Sequence, residues 1–68
     1  MENKIKNKTN NLLLVEETIK ELQSDFFTNH DIVKVTGLNY IQVRKYLGTL
    51  IDFNKIQYSE TSKMYMRL

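Results

Sequence analysis

The chain has 68 residues, 41% hydrophobic and 26% charged, with a net charge of +2, no cysteine and a single histidine, His30. That length fits one small domain of marginal stability, and the missing cysteines exclude a disulfide framework and a thiolate zinc site, so hydrophobic burial must hold it. The longest aliphatic run, Leu12 to Val15, is too short for a bilayer span or a secretory core, which gives the expectation of a cytoplasmic protein without a membrane partner.

Residues 1–10 are polar, rich in Asn and Lys, with Ile5 the only sizeable interior apolar group. They are expected to form a flexible basic arm. Lys4, Lys6 and Lys8 could touch a DNA backbone or minor groove, or could simply keep the arm soluble. The domain proper is then 11–68. A first helix is expected from about Thr9 to Asn11, where Asn and Thr can accept from free first-turn amides. Leu12, Val15, Ile19 and Leu22 recur at helical spacing and make its inward stripe. Glu16 and Lys20 stand in the favourable i, i+4 order outside. Leu13 and Leu14 fall off the stripe, and that surplus apolar surface marks them as candidates for a homodimer contact.

The helix breaks over Gln23 to Asp25, and Phe26-Phe27 suits a brief strand or a core plug. Thr28-Asn29-His30-Asp31 is a capping box that opens a second helix. Ile32 and Val35 are expected on its buried side with Val33 at the edge, and Gly37 ends it, because glycine takes the positive φ of a tight turn without strain. Asn39 caps a third helix, about Asn39 to Ile51, in which Val43, Leu47 and Leu50 point inward with Tyr46 beside them. Its opposite face holds Ile41, Gln42, Lys45, Gly48 and Thr49. After Asp52 the period falls to two. Ile56 and Tyr58 alternate with Lys55 and Gln57, and Met64, Met66 and Leu68 alternate with Lys63, Tyr65 and Arg67, two strands joined by Ser59 to Ser62. The expected class is α+β: three helices, a C-terminal two-stranded hairpin and a short strand near Phe26-Phe27.

Charge is unevenly spread along this order. Four lysines against six acids leave −2 over residues 1–31, and six Lys or Arg against Asp52 and Glu60 leave +4 over residues 32–68. The second half is the one suited to phosphates, although a mixed solvated surface accounts for the charge equally well.

From Leu12 to Leu68 the sequence resembles the winged helix-turn-helix superfamily of small bacterial, phage or plasmid DNA-binding proteins. The resemblance rests on Phe27 to Asn39, above all Thr36-Gly37-Leu38, with Val43-Arg44-Lys45-Tyr46-Leu47, Leu50-Ile51 and Lys55-Ile56 at the matching offsets. It departs from the pattern at Val33, where a small residue is usual, and at the hairpin tip, which carries Glu60 and no glycine or basic residue. What the resemblance implies is a third helix lying in the major groove. There Gln42 would pair with adenine, Lys45 with guanine and Ile41 with a thymine methyl, with Tyr40 at the helix start as a further base-edge candidate. Gly48 would permit close approach. Asn39, Arg44, Thr49, Lys55, Lys63 and Arg67 are the phosphate candidates.

No glycine-rich phosphate loop, nucleophile with a base, or metal-ligand cluster is present in the sequence, so no enzyme activity, cofactor or metal is expected. His30 reads as a surface residue. The expected function is sequence-specific binding of double-stranded DNA by a small dimeric transcriptional repressor. The alternatives are a centromere-binding adaptor of a plasmid or phage partition system, working with a partition NTPase, and a winged-helix protein-interaction module without DNA binding.

Overall fold

The structure is a computed structural model that describes residues 2–68, with side chains described from Asn11 onward. Three helices, α1 (Glu2–Glu21), α2 (Asn29–Thr36) and α3 (Tyr40–Asp52), accompany three short strands, β1 (Phe26–Phe27), β2 (Ile56–Ser59) and β3 (Met64–Arg67). The strands form one antiparallel sheet in the order β1-β3-β2. Phe27 lies opposite Tyr65, and Ile56, Tyr58 and Ser59 lie opposite Arg67, Tyr65 and Met64. This is an α+β layout compatible with a winged helix-turn-helix.

One core joins all the layers. Val15 and Ile19 of α1, Phe27 of β1, Ile32 of α2, Val43, Leu47 and Leu50 of α3 and Ile56 of β2 are buried together. The expected inward stripes of α1 and α3 are therefore the observed ones, with Leu12, Leu22, Tyr46 and Ile51 partly buried against them. Leu13 and Leu14 stay 48% and 41% exposed.

Local chemistry sets the helix ends. The Thr28 hydroxyl oxygen accepts from the Asp31 N–H at 3.2 Å while an Asp31 carboxylate oxygen accepts from the Thr28 N–H at 2.9 Å. Gly37, at φ 78°, donates its N–H to the Val33 carbonyl and closes α2. At the end of α3, Asn54 takes φ 62°, and the N–H groups of Asn54 and Lys55 donate back to the carbonyls of Ile51 and Leu50. These two bonds make a Schellman ending with asparagine in the position that glycine usually fills.

Two expectations change. Helix α1 begins at Glu2 rather than near Thr9 to Asn11, so the backbone of residues 2–10 is helical; any contact through Lys4, Lys6 and Lys8 lies outside the described side chains, and Met1 outside the described residues. In α2 it is Val33 that packs against the core, while Val35 is 65% exposed. The inward positions of this helix are Asn29, Ile32, Val33 and Thr36, an i, i+3, i+4, i+7 face whose two ends are polar. In β3 the core contact is Tyr65, stacked on Phe27 with ring centroids 5.7 Å apart and meeting Tyr58 edge-on at 4.9 Å, and Met64 and Met66 sit on the other face.

Candidate nucleic-acid interface

Asn39 starts α3 with a second capping box. Its Oδ1 accepts from the Gln42 N–H at 2.8 Å, and the Gln42 Oε1 accepts from the Asn39 N–H at 3.3 Å. The Asn39 cap is the expected one, and the reciprocal bond to Gln42, for which Asn-x-x-Gln carries the signature, is added by the structure. Asn29, buried to all but 7%, donates from Nδ2 to the Tyr40 carbonyl at 3.3 Å. That bond ties the first turn of α2 to the first turn of α3. The Asn29 Oδ1 is buried without a hydrogen-bond partner.

Because Val43, Leu47 and Leu50 face the core, helical periodicity turns Ile41, Lys45, Gly48 and Asp52 directly outward. Ile41 is 76% exposed. Gln42 and Thr49 lie half-buried on one flank, the Thr49 hydroxyl donating to the Lys45 carbonyl at 3.2 Å. Tyr40 and Arg44 lie exposed on the other flank, where they wall an open cleft of about 600 Å³. The facing wall comes from the hairpin, through Tyr58, Tyr65 and Lys63, and one end is closed by Thr28, Asn29 and His30 at the start of α2. Burial pushes the Tyr65 hydroxyl pKa up, with Tyr58 adding to the effect and Arg44 opposing it. The cleft thus gathers two permanent cations, one histidine, three tyrosines and a helix N-terminus, a combination suited to an anion.

The remaining two phosphate candidates are elsewhere. Lys55 pairs with Glu16 at 3.0 Å. Arg67 pairs with Asp25 at 2.8 Å and donates to the carbonyls of Ile19 and Lys20 at the end of α1. Both line a separate cleft of about 330 Å³ beside α1. The guanidinium of Arg67 is thus engaged by the free carbonyls of a helix C-terminus, and Lys55 and Arg67 stand away from the cleft that holds Arg44 and Lys63. Conversely, His30, Tyr58 and Tyr65 join the cleft without having been expected there. For Tyr58 and Tyr65 the signal was the period-two pattern of the strands, which puts both on the face shared with Ile56.

Among the described residues no group of His, Cys, Asp or Glu is placed to hold a metal ion, and no helix is long and apolar enough to cross a membrane. Comparison with protein-family models, curated proteins and solved structures finds no match for this chain.

Proposed function

We propose that the protein binds double-stranded DNA with sequence preference, inserting the first two turns of α3 into the major groove. The observation that carries this reading is the placement of free cations. Five described cations, Lys20, Lys34, Arg44, Lys45 and Lys63, are exposed and make no ion pair among the described residues, and three of them, Arg44, Lys45 and Lys63, cluster on α3 and the hairpin wall beside it. The cations that do pair lie beside α1. A helix in the major groove with a hairpin next to it has one sugar-phosphate strand running between the two, and the cleft of Arg44, Lys63 and His30 occupies that position. Asp52, on the outward stripe one turn beyond Gly48, repels phosphate and confines close contact to the N-terminal part of α3.

Leu13 and Leu14, exposed on the helix that carries the acidic residues, support a two-fold homodimer that leaves α3 free in both copies. Such a dimer would meet a palindrome or repeated half-sites, as a repressor or a partition adaptor does. A duplex titrated at several salt concentrations tests the reading. Two phosphate-facing cations per protomer, Arg44 and Lys63, give a slope of about −1.8 in log K against log salt, or about 12-fold weaker binding per protomer between about 50 and 200 mM. Affinity independent of salt would remove the nucleic-acid reading. A slope near −3.6, the value for about four contacts, would add Lys55 and Arg67 to the interface.

A further inference from the structure

The outward side chains of α3 are not equally free to read a base. Gln42 spends its Oε1 on the Asn39 N–H, and Asn39 spends its Oδ1 on the Gln42 N–H. The Thr49 hydroxyl is turned to its own helix. Ile41, in contrast, is 76% exposed, and the Lys45 ammonium has no acidic partner among the described residues. The two stand at i and i+4, about 6 Å apart along the helix axis, a length comparable with about two base-pair steps of 3.4 Å.

Resting on the DNA-binding reading above, we propose that α3 recognises a thymine through Ile41 and, within two base-pair steps of it, a guanine through Lys45. The chemistry selects these bases. Thymine alone among the four bases offers an alkyl group to the major groove, and an exposed isoleucine gains only from apolar contact. Lysine has three donors and no acceptor, so it matches the two adjacent acceptors of guanine, O6 and N7, better than the single acceptor of adenine or thymine, and finds none on cytosine. Adenine recognition would need the amide of Gln42, which the cap holds back.

The test begins by selecting, with the full chain, the duplexes it retains from a randomised duplex pool. The selected duplex is then resynthesised with single replacements: each thymine by deoxyuridine, each guanine by 7-deazaguanine and each adenine by 7-deazaadenine. At one thymine, loss of the methyl should weaken binding about fourfold, the equivalent of ~0.8 kcal/mol for one buried methyl-sized group. Ile41→Ala should bind the two duplexes equally, and Ile41→Val should keep part of the difference. A nearby 7-deazaguanine should weaken the wild type and leave Lys45→Ala unaffected. Ile41 is outside the core, so an unchanged helical signal will show that the variants fold. Sensitivity to 7-deazaadenine with indifference to thymine methyls would overturn the proposal, by showing that Gln42 leaves its cap to read the base. Indifference to all three replacements in a duplex that still binds tightly would overturn it too. If the pool yields no retained duplex, the DNA-binding reading itself fails, and the two failures remain distinct.

Discussion

Replacing Gly48 with alanine separates folding from function at one atom. Gly48 lies inside α3, its φ is outside the left-handed region, and a Cβ built on it meets no heavy atom within 4 Å. Alanine therefore introduces no clash within the molecule. It should remove the cost of glycine in a helix interior, about 0.8–1.0 kcal/mol. For a domain of this size each kcal/mol corresponds to about 4–8 °C in Tm, so Gly48→Ala should melt roughly 3–8 °C higher. Thermal melts at one fixed protein concentration measure this without interference from any monomer-dimer equilibrium. Binding should move in the opposite direction. The new methyl projects from the face between Lys45 and Asp52, and if that face is pressed against base edges it should weaken a selected duplex by about tenfold, ~1.4 kcal/mol. A lower Tm would show that the helix is more crowded at this position than the structure places it. A higher Tm with unchanged affinity would show that this face of α3 does not meet DNA.

Further substitutions address the rest of the fold. Arg67→Met should destabilise the domain by about 1.5–3 kcal/mol, mainly through the lost bonds to the Ile19 and Lys20 carbonyls, because the exposed Asp25 carboxylate adds little to the pair; the salt dependence of DNA binding should not change, and a flatter slope would show that Arg67 contacts phosphate. Leu13→Glu and Leu14→Glu should shift the protein to monomer in sedimentation while leaving α1 folded, and two variants that remain dimeric would place the interface elsewhere. Tyr65, held protonated by burial, ionises more readily in the unfolded chain, so the stability it contributes is complete below about pH 10 and is lost as pH rises through its higher folded value. Urea titrations across that alkaline range should show the decline in the wild type and a smaller one in Tyr65→Phe; identical curves would refute the assignment.

The features legible in the sequence are those decided by near neighbours. The Thr28–Asp31 box, the Gly37 turn and the Val43, Leu47, Leu50 stripe each depend on a few adjacent residues, and each is found as expected. The rotation of α2 depends instead on what lies opposite it. Ile32 can share a face with Val35 or with Val33, and apolar character alone favours Val35 because the alternative face runs through Asn29 and Thr36. The fold chooses the polar ends because Asn29 can reach the Tyr40 carbonyl and the Thr36 hydroxyl can donate to the Ile32 carbonyl at 2.8 Å. The start of α1 was hidden for a different reason. Residues 2–10 contain neither proline nor glycine, so no strong breaker marks a boundary, and the Asn and Thr near Thr9 to Asn11 offer a cap that the backbone does not use.

The candidate site was less legible than the fold because charge in a sequence carries no record of its partner. Lys55 and Lys63 look alike as strand-flanking lysines, yet one meets Glu16 and the other stands free beside the Arg44 cleft. Arg67 finds Asp25 from 42 positions away. These pairings matter for function because the acids that neutralise Lys55 and Arg67 belong to the acidic first half, so folding cancels part of the charge asymmetry between the halves. Of the described cations left unpaired, Arg44, Lys45 and Lys63 gather on α3 and its facing hairpin wall, while Lys20 and Lys34 lie on α1 and α2. On the DNA-binding reading, the salt slope should count the unpaired cations that reach phosphate, and not the net excess of +4 in residues 32–68.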